Sequence, residues 1–99
     1  MGKIIKFNGT DCRLKFGQYA NEVTAIQLIE EDTGFPFATA TVNFPDKLEL
    51  DEIAIKNWSE NYGILNVLLE NDIITPPHRF IWSGYVKVPV CKLKDDGNG

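Results

Sequence analysis

Residues 4–16 read IIKFNGTDCRLKF, and this stretch decides the fold class. Apolar and polar residues alternate on both sides of Asn8-Gly9, a pair that favours the left-handed backbone of a two-residue hairpin turn. The alternation predicts two antiparallel strands that share one apolar face, formed by Ile5, Phe7, Cys12, Leu14 and Phe16. The chain is therefore expected to open with a β-hairpin.

A second pair of strands is expected in residues 23–44. Residues 23–30 place Ile26 and Leu28 on one face, and Asp32-Thr33-Gly34 has the composition of a turn. Residues 36–44 then predict one continuous strand of a sheet with one solvent-exposed face. Its inward residues are expected to be Ala38, Ala40, Val42 and Phe44, and its outward residues Thr39, Thr41 and Asn43.

One helix is predicted over about residues 60–71. Tyr62, Leu65, Leu68 and Leu69 recur at helical spacing, and Ser59 is expected to be the N-cap. Residues 48–56, just before it, fit either a short strand or a helical turn.

The final segment predicts two more strands, because residues 80–82 and 85–93 are rich in valine and aromatic residues. Pro76 and Pro77 separate them from the helix. Pro89 indicates that the last strand lies at an edge or carries a bulge, since proline cannot donate to a ladder.

These elements predict a single α+β domain over residues 1–94, mainly an antiparallel sheet or a partly open barrel of five to seven strands with one main helix. Residues 95–99 (DDGNG) have the composition of a frayed tail. Neither a membrane-spanning run nor a signal peptide is evident, which predicts a cytoplasmic protein without a membrane partner. Cys12 and Cys91 are accordingly expected to be reduced, buried thiols.

The sequence offers little for catalysis, metal binding or cofactors. His78, the one histidine, follows two prolines and is expected to be a solvated loop residue. A zinc site usually takes four Cys or His ligands, and this chain has three such residues in all. We therefore expect no enzyme activity, no metal and no cofactor. A nucleophile formed by Cys12 or Cys91 with His78 as base is the remaining catalytic alternative.

Charge is unevenly distributed along the chain. Residues 22–72 hold eleven acidic and two basic residues, whereas both flanking segments are net basic. Such a distribution predicts an acidic face that docks a basic protein or mimics DNA, although acidic turns can also serve solubility alone. The residues expected on this face are Glu30, Glu31, Asp32, Asp46, Glu49, Asp51 and Glu52.

Residues 79–87 (RFIWSGYVK) interleave aromatic and basic side chains, as surfaces that bind single-stranded nucleic acid do. The corresponding alternative surface comprises Arg13, Lys15, Arg79, Trp82 and Lys87. Strand alternation should bury about half of these aromatics, and 10 basic against 14 acidic residues disfavour phosphate binding. A protein partner is therefore expected ahead of a nucleic acid.

Four sequence segments resemble those of a known family, and the resemblance extends over about residues 12–93. The segments are FGQY at 16–19, TATVNFP at 39–45, IKNWSEN at 55–61 and GYVKVPVC at 84–91. Together they resemble a small family of unknown function encoded in phages, prophages and conjugative elements of Gram-positive bacteria. The resemblance implies no activity, cofactor or catalytic residue. It implies a non-catalytic accessory protein of a mobile element that modulates or inhibits a host protein.

Overall fold

A computed structural model describes residues 4–94 of the chain, so the predicted tail at 95–99 lies outside the described residues. Eight strands and one short helix, α1 (Ile64–Glu70), form the fold, and a single 3₁₀ turn at Ser59–Asn61 precedes the helix. The strands are β1 (Ile4–Phe7), β2 (Thr10–Gln18), β3 (Thr24–Glu30), β4 (Pro36–Thr39), β5 (Thr41–Val42), β6 (Glu52–Ile55), β7 (Arg79–Ser83) and β8 (Val86–Lys92).

The strands form two four-stranded antiparallel sheets, one ordered β1-β2-β3-β4 and the other β5-β6-β8-β7. The predicted α+β class with mainly antiparallel sheet is confirmed. The two sheets do not close into one, and the partly open barrel stays a prediction. The count of five to seven strands was too low, because residues 36–44 make two short strands instead of one. Residues 48–56, left open between strand and helix, contain β6.

The first hairpin forms as predicted. Ile5 lies opposite Cys12 across a two-residue turn in which Asn8 (φ 52°) and Gly9 (φ 79°) both adopt left-handed backbone. Ile5, Phe7 and Cys12 are buried, but Phe16 is 53% exposed. The prediction that Phe16 faces the core is wrong, because it lies near the far end of the nine-residue β2 and the core does not reach that far.

Ala40 is where the chain leaves the first sheet and enters the second. Its N–H donates to the Ile26 carbonyl, and its own carbonyl accepts from the Lys56 N–H, both at 2.8 Å. The turn in the chain inverts the predicted alternation: Thr41 is buried, and its hydroxyl accepts from the Ile26 N–H at 3.2 Å. A hydrogen-bonded hydroxyl can be buried at little cost, which the alternation pattern alone could not show.

The core lies between the two sheets and α1. Both cysteines are free and buried in it, as predicted. Burial raises the pKa of the Cys91 thiol to about 11. It also raises the pKa of the Cys12 thiol, with smaller contributions from Glu30 and Asp11. The core residues are Ile5, Phe7, Cys12, Ile26, Leu28, Ala40, Ile53, Ile55, Ile64, Leu68, Ile74 and Cys91.

The helix is shorter than predicted and begins differently. Ser59 is not its N-cap: that position is Gly63, which has no side chain that could cap the helix. Instead the Asn57 side-chain oxygen accepts from the backbone N–H groups of Gly63 (3.1 Å) and Leu65 (2.9 Å). Leu68 is buried as predicted, whereas Tyr62 is 77% exposed and does not belong to the apolar stripe.

Pro89 lies in β8, which is an inner strand between β6 and β7. The prediction of an edge strand is therefore wrong for β8 as a whole. The β6 ladder, however, reaches only residues 90–92 of β8, so Pro89 is flanked by β7 alone. The missing N–H of proline is tolerated because no ladder partner stands on its other side.

Candidate interaction surface

The β7–β8 hairpin carries a group of exposed aromatic side chains. Trp82 is 64% exposed and Tyr85 is fully exposed, while Phe80 is 46% exposed. Phe80 and Trp82 lie two residues apart on β7 and therefore point to one face, and Tyr85 occupies the turn. We call these three residues together with Lys87 the aromatic hairpin.

The hairpin is held in register by a tight turn. Ser83 lies opposite Val86, and Gly84 has a φ of 61°. A left-handed first residue is what a type II′ turn requires, and glycine adopts it without strain. Lys87 lies opposite Trp82, and its ammonium lies 4.5 Å from the Phe80 ring centre. The exposed rings are therefore presented on a rigid support.

The aromatic hairpin continues the face of the second sheet that packs on the core. Residues directly opposite in an antiparallel pair share a face, so Phe80 and Trp82 lie on the side of Lys87, Pro89 and Cys91. Cys91 is fully buried in the core at one end of that face. The first sheet and α1 cover only that end, and the rings at the other end meet solvent.

An ion-pair cluster around the buried Glu52 carboxylate lies at the base of the hairpin. The Glu52 side chain is 6% exposed and accepts from Arg79 Nη2 (2.7 Å, at Oε1) and Arg79 Nε (3.0 Å, at Oε2). Oε2 also accepts from His78 Nε2 at 2.6 Å, and Oε1 accepts from the Glu49 N–H at 3.0 Å. Arg79 further donates to the Lys47 carbonyl, which ties the loop of residues 43–51 to the sheet.

This geometry assigns Glu52 a structural role. Its two oxygens accept four hydrogen bonds, which fills the capacity of a carboxylate. The hydrogen bond from Arg79 is the main cause that holds the pKa of Glu52 far below its ordinary value, against the opposing effect of burial. His78, expected to be a solvated loop residue, is a partner of this carboxylate. The carboxylate has no acceptor site left for a substrate.

The predicted acidic residues do not form one face. Glu52 is buried, and Glu31 pairs with Arg13 at 2.6 Å. Glu30 ends β3 and is followed by Glu31 and Asp32, whereas the loop with Asp46, Glu49 and Asp51 begins at Asn43, which bonds to Asn21 just before the start of β3. The seven residues of β3 separate these two acidic segments by roughly 20 Å.

The alternative basic surface is also divided. Arg13 is neutralised by Glu31 and Arg79 by Glu52, as Lys92 is by Asp51. Among the lysines and arginines that the structure describes, three have no acidic partner within 4 Å: Lys15, Lys47 and Lys87. Of the five residues predicted for nucleic acid, only Trp82 and Lys87 lie side by side on the exposed hairpin face.

Phe80 and Tyr85 belong to the exposed surface, yet they were absent from both predicted sets. The period-two spacing of Phe80 and Trp82 and the Ser83-Gly84 turn signal indicated that these rings share a hairpin. Sequence could not show that the core stops short of them.

Within residues 4–94, no group of three or more His, Cys, Asp or Glu side chains could hold a metal ion. In the same part of the chain no helix is long and apolar enough to cross a bilayer. Comparisons with protein-family models, with curated proteins and with solved structures found no significant match.

Proposed function

We propose that this chain is a small non-catalytic interaction protein that binds a partner protein through the aromatic hairpin. The observation that carries the proposal is the exposure of Phe80, Trp82 and Tyr85 on one rigid hairpin. A group of exposed apolar side chains of this kind marks interaction sites in soluble proteins, and Trp and Tyr are the residue types that dominate binding energy.

The carboxylates that have no Lys or Arg partner give this binding its charge preference. Glu30, Asp32, Asp46 and Glu49 have no Lys or Arg within 4 Å among the described residues, and they form the two acidic segments at opposite ends of β3. Such charges act mainly on the rate of encounter. We assign them a steering role toward a basic partner, with the hairpin supplying the contact. The resemblance to proteins of phages and conjugative elements supports a host protein as that partner.

The test is a comparison of two serine variants of the immobilised protein in a host lysate. The Trp82→Ser variant should bind the partner captured by the parent protein with at least about tenfold lower affinity, as expected when a central aromatic residue is removed. Tyr62→Ser removes an equally exposed ring outside the hairpin and should retain that partner. Equal capture by both variants would exclude the hairpin as the contact surface.

A nucleic-acid function is the second candidate, favoured by the exposed Trp82 ring beside Lys87. The pairing of Arg13 and Arg79 with carboxylates weighs against it, because few cations remain to neutralise phosphates. Titration of a single-stranded oligonucleotide into a Trp58→Phe variant, in which Trp82 is the one remaining tryptophan, separates the two functions by fluorescence. Quenching that weakens steeply with added salt would support nucleic acid, and unchanged fluorescence supports a protein partner.

A further inference from the structure

The free edge of β7 presents the backbone of the same residues that expose their rings. Pro89 has no N–H, so its pair with Phe80 must be a non-hydrogen-bonded pair of the β7–β8 ladder. Ladder alternation then directs the N–H and C=O groups of Phe80 and Trp82 away from β8. Among the described residues β7 pairs with β8 alone, so these four backbone groups face outward.

The other sheet edges carry the features that normally prevent strand addition. β1 has a central lysine, Lys6, and β4 begins with Pro36 and is followed by the break at Ala40. β5 is two residues long. From Phe80 to Ser83, β7 has no charge, proline or bulge, and the side chain of Arg79 is bound to Glu52. It is the unprotected edge of the described fold.

We propose that β7 pairs with β7 of a second copy, antiparallel about a two-fold axis at Ile81. The inference rests on the proposed function, because it gives the aromatic hairpin a partner. The register places Phe80 opposite Trp82 of the other copy, and all four outward groups of each protomer are then paired. It also stacks aromatic side chains directly across the new strand pair, which stabilises sheets.

The charges along β7 do not oppose pairing with a second copy in this register. Arg79 lies opposite Ser83, so the two-fold axis opposes no like charges along the strand. The net charge of −4 on each protomer opposes association at long range, and added salt screens it. The dimer should therefore strengthen with salt, the opposite of nucleic-acid binding. A host protein that uses the same edge would displace the second copy.

The area of a five-residue edge is smaller than the roughly 800 Å² per partner of a standard interface. A reversible dimer with a micromolar dissociation constant is expected.

Sedimentation equilibrium of the full chain from about 1 µM to about 1 mM should show the mass rising toward that of a dimer. Trp82→Lys places a charge on the edge and should weaken the dimer at least about tenfold, because two symmetric ring pairs are lost. Tyr85→Lys changes an even more exposed ring outside the paired segment and should leave the dimer unchanged.

A cysteine on the axis tests the register. In Ile81→Cys the two thiols of a dimer would meet in a non-hydrogen-bonded pair, at a Cα separation of about 4.5 Å that a disulfide allows. Ile81 is itself 7% exposed, but the two-fold axis of the dimer brings position 81 of both copies together, whereas Cys12 and Cys91 lie in the core of each protomer and should stay unmodified. Mild oxidation should give a covalent dimer, and Tyr85→Cys should not. If Ile81→Cys does not fold, the Trp82→Lys and Tyr85→Lys pair decides alone.

A protein that stays monomeric at about 1 mM with its native fold intact overturns the inference. So does a dimer that Trp82→Lys leaves unchanged. The proposed function fails separately: it survives a monomer whose partner capture still depends on Trp82, and it is lost when Trp82→Ser leaves partner capture unchanged, whether or not the protein dimerises.

Discussion

Arg79 donates two hydrogen bonds to Glu52 and so connects the first residues of two strands that are not neighbours in the sheet. β8 lies between β6 and β7, and the ion pair spans it. The edge strand that carries the exposed rings is thereby fixed to the middle of the sheet. The Arg79–Glu52 pair thus supports the strand that carries the proposed interaction surface.

Replacement of Glu52 by glutamine should lower the free energy of unfolding by about 2 kcal/mol, because hydrogen bonds to a charged, buried group are lost. Asp51→Asn is the matched control: it removes the adjacent acid, whose exposed pair with Lys92 should contribute less than about 1 kcal/mol. Urea denaturation at neutral pH measures both. Equal effects of the two variants would contradict the structural role of Glu52.

The same carboxylate should make stability depend on pH. The pKa of Glu52 is far below its ordinary value of 4.5 in the folded protein, so below about pH 5 the unfolded chain binds more protons. The stabilisation is complete above that pH and is lost as the pH falls toward the folded pKa. The difference in unfolding free energy between the parent and Glu52→Gln should therefore shrink from about pH 7 to about pH 3. A constant difference would show that the ion pair is not its source.

The alpha helix should depend on Asn57 instead of Ser59. Asn57→Ala removes the acceptor for two N–H groups of the first helical turn and should cost about 1 kcal/mol. Asn66→Ala makes the same change at an exposed helical position and should cost nothing. Thermal denaturation of the two variants tests the assignment. A larger loss for Asn66→Ala would refute it.

Leu68 should be essential to the core. Leu68→Ala is expected to cost about 2–5 kcal/mol, since the side chain is fully buried between α1 and the sheets. Tyr62→Ala, predicted from spacing to be equivalent, should cost less than about 0.5 kcal/mol because Tyr62 is exposed. Chemical denaturation distinguishes the two positions. Similar losses would mean that the helix presents a different face to the core.

Local patterns in the sequence predicted the features that depend on local backbone preference. Asn8-Gly9 set the first hairpin, and Leu68 was placed in the core by helical spacing. The failures concern contacts between residues distant in sequence. The break at Ala40 depends on Ile26 and Lys56, and the burial of Glu52 depends on Arg79, which is 27 residues away. Neither partner can be read from the pattern of a single strand.

The candidate surface was only partly predictable for the same reason. The sequence placed Trp82 and Lys87 in one segment of interleaved aromatic and basic residues, but alternation predicted that about half of the aromatics would be buried. Ile81 lies on the opposite face of β7 and is buried, whereas the two rings beside it remain exposed although they lie on the face that packs on the core. Their exposure follows from how far the first sheet extends over the second, which is a property of tertiary packing.

Site-specific photo-crosslinking tests whether the aromatic hairpin contacts a partner protein. A photoreactive phenylalanine analogue replaces Tyr85 in the aromatic hairpin or Tyr62 outside it, and both of these side chains are largely exposed. After irradiation in host cells, we expect a discrete protein adduct from position 85, absent when Trp82→Ser is added, and none from position 62. An adduct from position 62 alone, or one at position 85 that persists with Trp82→Ser, would contradict this expectation.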